Sequence, residues 1–390
     1  MLTRELDFDL PSELIAQTPL EPRDAARLLH LQCATGALAH QFARDLPDLL
    51  RAGDLLVLND TRVLRARLHG RKPSDGRVEA LLLKEERADA HGADVWEALL
   101  KPSGRLQIGG ELWFDGTENG RPIQARARLL ERRDAAWLMQ FSSDDGRPLR
   151  ELLPVLGEVP LPPYIHHKAD EARYQTTFAR ENSPENPLDS AAAPTAGLHF
   201  TPELFERLAN RGIERVFVTL AVGAGTFRPV KVENLAEHLM HAEEFWIAPE
   251  VAQRINAHKA AGGRIVAVGT TTVRALESAA RSSENKRVEA GAGETRLFLT
   301  PGAPFTVVDA LMTNFHLPRS TLLALVAAFI QNKWERENKS EQSVEHSNGE
   351  NSSTAKEDGG IGLSMTHRAY REAVKCRYRF FSFGDAMLIE

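Results

Sequence analysis

The chain is 390 residues long, 42% hydrophobic and 26% charged, with a formal net charge of −6. That length holds two or three hydrophobic cores, and that balance belongs to a globular protein rather than a disordered or membrane-embedded one. The negative charge argues against a protein coated in nucleic acid, and two cysteines, Cys33 and Cys376, fit neither a disulfide framework nor a zinc cluster.

The longest apolar run, Leu322–Ile330, is far too short to cross a membrane, and the start Met1-Leu2-Thr3-Arg4-Glu5 lacks a signal peptide's apolar stretch. With so little cysteine, the expectation is a cytoplasmic protein in a reducing compartment.

Residues 1–60 read as mixed α/β. Asp54–Leu58 is a short apolar run of the kind a buried strand shows, and it ends in Asn59-Asp60-Thr61-Arg62. Asn59 and Asp60 there are either turn formers bonded to nearby backbone or ligand contacts at a strand's C-terminal end. From Arg62 to Arg150 the period becomes two. Leu64, Ala66 and Leu68 alternate with Arg65, Arg67 and His69, and strand-like runs follow at Val78–Leu83, Val95–Leu100, Leu112–Phe114, Gln124–Leu130 and Ala136–Phe141. About six short strands without an intervening helix suggest a small antiparallel barrel. This segment carries 17 Lys and Arg against 14 Asp and Glu, so it is +3 while the remainder is −9. The mild excess allows a phosphate-facing surface or simply a solvated basic face.

After Leu161-Pro162-Pro163-Tyr164 the helical period returns. Thr201-Pro202-Glu203 is a helix start, in which the Thr201 hydroxyl can take an orphan N–H. Just before it, Gly197 permits unusual backbone angles and His199 faces the helix end. A weak repeat follows. Pro202–Thr226 and Pro249–Thr271 each read helix, glycine cap, strand and glycine-threonine turn, with Gly212 and Gly262 as the caps. Gly223-x-Gly225 lacks the third glycine of a dinucleotide fingerprint. A third unit runs through the extended stretch Thr306–Thr313 into Asn314-Phe315-His316-Leu317-Pro318, and Ser320 or Thr321 can cap the apolar helix Leu322–Ile330. His199, Thr226, Thr270 and His316 thus sit at strand ends or helix starts, which in an α/β sheet can converge on one crevice.

His238 and His241, three apart with Glu243 near, are a candidate metal pair on a helical face, but no fourth ligand is suggested. Lys333–Gly360 is a polar tract of Glu, Lys, Ser and Asn with almost nothing to bury, which reads as a disordered insert. A short helix near Arg368–Lys375 and the aromatic run Tyr378–Ile389 end the chain, the latter read as core strand closing the sheet.

The motifs Ala193–Phe200, Phe217–Phe227, Ala267–Arg274, Asp309–Pro318 and Tyr378–Ala386, with Leu161–Ile165, resemble those of the S-adenosylmethionine:tRNA ribosyltransferase-isomerase family of queuosine biosynthesis. The resemblance spans nearly the whole chain in order. It departs at Glu237, where an Asp is expected, and at the polar tract, where the loop is usually short. It implies a large α/β domain with a mixed sheet, made of residues 1–61 and 151–390, with a small antiparallel β-barrel inserted at 62–150; the disordered insert at 333–360, read from composition, falls within the α/β domain. It also implies the reaction. The ribosyl part of S-adenosylmethionine moves to 7-aminomethyl-7-deazaguanine in tRNA and rearranges, giving epoxyqueuosine with loss of adenine and methionine.

That chemistry needs a base at the carbon beside the sulfonium and an acid for departing adenine, and histidine suits both. His199 and His316 are the expected catalytic pair, with Asp309, Glu243 and Asp60 as fallbacks. Thr195, Gly197, Gly225, Thr226, Thr270 and Thr271 are the expected cosubstrate contacts, and Arg274 the partner of the methionine carboxylate. Arg62, Arg65, Arg67, Arg71 and Lys72 are the expected tRNA-facing strip. No cofactor beyond the cosubstrate, no metal and no membrane is expected, and the chain is expected to be a monomer. The competing classes are a metal-dependent hydrolase built on His238, His241 and Glu243, and a non-catalytic RNA-binding protein resting on the barrel.

Overall fold

The structure, a computed structural model, describes residues 1–390 apart from 87–93, 103–105, 167–170, 182, 184, 185, 187, 224–229, 231 and 346–359, and gives only the backbone of 339–345. Sixteen strands are described. The hairpin β1 (Arg27–Gln32) and β2 (Ala37–Phe42) is followed by β3 (Leu55–Asn59). The middle of the chain holds β4 (Arg67–Arg71), β5 (Arg77–Glu86), β6 (Asp94–Lys101), β7 (Glu111–Glu118), β8 (Arg121–Arg133), β9 (Ala136–Ser143) and β10 (Gly157–Glu158). The rest supplies β11 (Glu214–Leu220), β12 (Glu243–Ile247), β13 (Ile265–Val268), β14 (Gly291–Thr295), β15 (Ala310–Asn314) and β16 (Ala386–Ile389).

Nine strands form one mixed sheet in the order β14-β12-β11-β3-β13-β15-β16-β1-β2. The run β11, β3, β13, β15 is parallel, which is why β3, β13 and β15 are apolar without alternation: both their faces are covered. Leu55 and Val57 of β3 face the helices Thr270–Arg281, Thr321–Glu345 and Gly360–Lys375. Leu56 and Leu58 face the helix Pro202–Asn210 through Leu204 and Leu208. The helix starts follow the expected chemistry. Thr201 Oγ1 accepts from the Leu204 N–H at 3.1 Å, and Ser320 Oγ from the Leu323 N–H at 3.2 Å. Gly212 and Gly262 cap their helices with φ of 72° and 80°. The C-terminal strand β16 lies inside the sheet, between β15 and β1, so the two ends of the chain are paired and β2 is the edge.

The chain leaves the large sheet after β3, builds the second sheet, and returns at β11, the parallel neighbour of β3. The second sheet runs β10-β4-β5-β6-β9-β8-β7, and pairing of β4 with β7 closes six of these strands into a barrel. Alternate residues fill it: Val78, Ala80 and Leu82 of β5, Trp96, Ala98 and Leu100 of β6, and Trp137, Met139 and Phe141 of β9. Closure depends on Gly70, where a Cβ would lie 2.5 Å from the Trp113 carbonyl oxygen. The helix Leu149–Leu156 adds its leucines to this core and β10 pairs with β4, so the barrel unit continues past Arg150 to Glu158. The first barrel strand begins at Arg67 rather than Leu64.

The polar tract also differs from the expectation of disorder over its whole length. The helix that starts at Thr321 continues to Glu345, carrying the tract's first residues with it. Lys333 pairs with Glu337 at 3.1 Å one turn on, and Arg336 reaches Asp309 at 3.5 Å. Residues 346–359 lie outside those described. No helix among the described residues is long and apolar enough to cross a membrane.

Candidate active site

A cleft opens at the C-terminal ends of the parallel strands, where six stretches of the chain meet. It encloses about 670 Å³ counting its open mouth. One wall is the start of the helix Thr270–Arg281. Gly269, with φ of 89°, makes the turn out of β13, and no side chain among the described residues caps the helix. The Gly269 N–H is taken by the Met312 carbonyl at 2.7 Å, so the first-turn N–H groups left for a ligand are those of Thr270 and Thr271, which line the cleft and suit an anionic group. Another part of the lining is Tyr164 and Phe381, ring centroids 4.8 Å apart, with Tyr164 Oη and Ser382 Oγ hydrogen-bonded at 2.6 Å. Phe381 holds φ of 70°, a conformation that costs a bulky residue free energy, and the ring packing keeps it there. The end of β15 supplies the floor, with Thr313, Asn314 and His316.

His316 lines the cleft as expected. Its Nε2 lies 2.9 Å from Thr313 Oγ1, and its backbone N–H donates to the Tyr370 hydroxyl at 3.0 Å. Burial pushes its pKa well below the ordinary histidine value, so the ring is neutral at pH 7. His199 does not line this cleft. It sits behind the wall, 4% exposed, and borders a smaller cavity with Arg23, Arg173 and Phe383. Its Nε2 faces the Asn314 side-chain nitrogen at 3.3 Å, and burial lowers its pKa to about 4.

Thr195, Thr270 and Thr271 line the cleft, and Thr195 Oγ1 donates to Asn314 Oδ1 at 2.9 Å. Gly197 does not. Its φ is not positive, so the expected backbone freedom is not what the position needs; a Cβ there would lie 2.9 Å from Phe178. Gly197 is small to let that ring pack. Arg274 does not line the cleft either: it is 4% exposed, ion-paired with Glu243, and donates from Nε to the Leu297 carbonyl at 3.1 Å. Gly225 and Thr226 fall outside the described residues. Asn59 takes the turn-former reading: its Oδ1 accepts from the Thr61 and Leu220 N–H groups at 3.1 Å each. Asp60 accepts from Thr219 Oγ1 at 2.6 Å, and Asp309 from Lys259 at 2.8 Å.

The metal pair dissolves in the fold. Residues 238–242 are not helical, and Glu243 lies in β12 bound to Arg274. Among the described residues the one group of three with ligand atoms close together is His40, Glu372 and Cys376. The Cys376 thiol there donates to Glu372 and His40 Nδ1 meets the Tyr378 hydroxyl, which accounts for the group without an ion.

A model of the family described as queuosine biosynthesis protein matches residues 3–344 and 360–389. The chain belongs to that family. The S-adenosylmethionine:tRNA ribosyltransferase-isomerase of Symbiobacterium thermophilum is 47% identical over 395 residues, covering 100% of both chains. That of Moorella thermoacetica is 46% identical over 391 residues, again covering 100% of both. Among solved structures, the S-adenosylmethionine tRNA ribosyltransferase of Thermotoga maritima is 35% identical, with a TM-score of 0.50, covering 99% of this chain and 100% of that one.

Within this family member, sequence reasoning passed over Asn314, Thr313, Tyr164, Phe381 and Ser382 as cleft residues. Each lay in a quoted motif, but nothing in composition or period separated them from core residues. The basic strip is less free than its charges suggest. Arg62 is exposed, but Arg65 pairs with Glu171 at 2.8 Å, Arg67 with Glu79 at 3.7 Å and Arg71 with Asp115 at 3.1 Å. Lys72 is half-buried.

Proposed function

We infer that the cleft at the ends of β13 and β15 takes S-adenosylmethionine and is where its ribosyl group reacts. The chain is an S-adenosylmethionine:tRNA ribosyltransferase-isomerase, which transfers and isomerises that group to form epoxyqueuosine in tRNA. The observation that supports the cleft is one of complementarity: an uncapped helix start, a neutral imidazole and an aromatic wall line the same space.

Each feature answers a demand of the chemistry. The sulfonium acidifies the adjacent 5′-carbon, and a base that begins without a proton must stand there. His316 starts without a proton, because burial disfavours its charged form, and the same burial weakens it as a base until substrate charge enters the cleft. Once it has taken the proton it holds the one that departing adenine requires, so one residue can serve both steps. Tyr164 and Phe381 offer a face on which a flat heterocycle stacks. The N–H groups of Thr270 and Thr271 take the methionine carboxylate, the role first assigned to Arg274.

The strip from Arg62 to Lys72 is proposed as a tRNA contact, and 7-aminomethyl-7-deazaguanine as the modified base. The enzyme is taken to work in the cytoplasm, where tRNA is, and as a monomer, which light scattering of the purified chain checks. The test of the activity is incubation with S-adenosylmethionine and precursor-bearing tRNA, following free adenine and the modified nucleoside by mass spectrometry. Without adenine release the cleft reading fails.

A further inference from the structure

Four groups near the cleft form a chain of hydrogen bonds whose direction is set by a backbone carbonyl. Asn314, 2% exposed, places its side-chain nitrogen 3.3 Å from the Phe381 carbonyl and 3.3 Å from His199 Nε2. A carbonyl can only accept, so the amide nitrogen must be the atom facing it. The amide oxygen then faces Thr195 at 2.9 Å, and since that oxygen also only accepts, the Thr195 hydroxyl donates its single proton to it. At the other end the same amide nitrogen, which can only donate, faces His199 Nε2 at 3.3 Å. Nε2 is therefore bare and accepts from Asn314, which leaves the ring proton on Nδ1. Burial, which holds this ring neutral, agrees with that tautomer.

The consequence is felt in the cleft. Thr195 lines it with its proton already committed inward, so it presents only lone pairs to a ligand. It stands next to the donor-rich helix start, because Ala196 abuts Gly269: a Cβ on Gly269 would lie 3.6 Å from that of Ala196. An acceptor beside a cluster of N–H donors matches a zwitterion, an ammonium group at the first and a carboxylate at the second.

We propose that Thr195 is the hydrogen-bond acceptor for the α-ammonium group of the cosubstrate's amino-acid end, and that His199 is a positioning residue that holds Asn314, and through it Thr195, in that sense. This rests on the cleft's taking S-adenosylmethionine. It gives His199 no proton to transfer.

The experiment measures binding of S-adenosylmethionine and of three analogues, lacking respectively the α-amino group, a ribose hydroxyl and the adenine amino group. The proteins are the wild type, Thr195→Val, His199→Leu, His199→Gln and the Thr195→Val/His199→Leu pair, with melting temperatures alongside. Thr195→Val is expected to weaken S-adenosylmethionine by roughly 3- to 10-fold, the scale of one hydrogen bond, and to leave the analogue without the amino group unaffected. The double variant is expected to bind no more weakly than the worse single one, because both act on one chain of bonds. In His199→Gln the amide oxygen can accept from Asn314 in place of Nε2, so binding and turnover are expected to recover most of what His199→Leu loses. If His199→Leu does not fold, Thr195→Val and His199→Gln carry the test. Loss confined to the ribose or adenine analogue, fully additive variants, or a His199→Gln whose turnover collapses with unchanged binding would each overturn the proposal. A wild-type protein that binds none of the four would instead refute the cleft reading beneath it.

Discussion

His199 and His316 have ordinary neighbours in sequence and unusual ones in space, and their charge state follows from the latter. Both are held neutral by burial, His199 with a pKa of about 4. The unfolded chain protonates these rings near pH 6.5 and the folded protein does so only at lower pH. The unfolded state therefore binds more protons between those values, and stability must fall as pH drops from about 6.5 towards 4. For His199 the full loss is on the order of 3 kcal/mol. Melting temperatures from pH 7 to 4.5 check this: His199→Gln is expected to flatten the acid slope, and an unchanged slope would mean the ring titrates in the fold as it does in the unfolded chain. His316 has a kinetic signature as well. If it moves the proton, His316→Gln lowers turnover roughly 100-fold or more while S-adenosylmethionine affinity holds. Gly197→Ala tests a steric position. Its Cβ would sit 2.9 Å from Phe178, and the expected cost is about 1–3 kcal/mol, read as a lower denaturant midpoint.

Among the elements, the barrel's closing strand pair and its basic edge make separate demands. At Gly70 the obstructing atom is the Trp113 carbonyl oxygen, 2.5 Å from an added Cβ, and backbone cannot move aside as a side-chain tip can. Gly70→Ala should therefore loosen β4 from β7 and raise amide exchange across that pair, leaving the large sheet protected. The basic edge should act more weakly than its count of charges suggests. Arg65, Arg67 and Arg71 each already face a carboxylate, so a phosphate must compete with an existing ion pair. Changing Arg62, Arg65, Arg67, Arg71 and Lys72 to Ser is expected to weaken tRNA binding and to reduce the salt slope by fewer ions than the five side chains removed. S-adenosylmethionine affinity should not change. An unaltered salt slope would place the RNA contact elsewhere.

At the scale of the whole molecule, the order β15-β16-β1-β2 makes the last strand structural. Leu28 pairs with Ala386 and Asn314 with the same residue from the other side, so β16 joins the N-terminal hairpin to the parallel core. By contrast, the family match breaks between 344 and 360, inside the polar tract. Replacing 346–359 with a short flexible linker is expected to leave melting temperature and turnover close to wild type. Extending the deletion back to Lys333 should cost stability, because it removes the last turns of the Thr321–Glu345 helix and the Arg336–Asp309 pair. Equal melting temperatures for the two deletions would show that those turns contribute nothing.

What the sequence by itself determined is what short range controls. The unbroken apolar runs of β3 and β13, the alternation that fills the barrel, the Thr201 cap and the Gly212 and Gly262 turns all depend on residues within a few positions of one another. Tertiary structure decided the rest. Asn314 meets Thr195 across 119 residues of chain and His199 across 115, and those meetings depend on a strand order in which the two ends of the chain pair. Arg274 lies one turn into a helix at the cleft, yet Glu243, 31 residues away, claims its guanidinium from the side. The helix from Thr321 runs on past Lys333, and there Arg336 meets Asp309, in the turn before β15, a partner that composition could not reveal. Period and capping are written locally. Which polar groups end up sharing a cleft is settled only when the sheet is assembled.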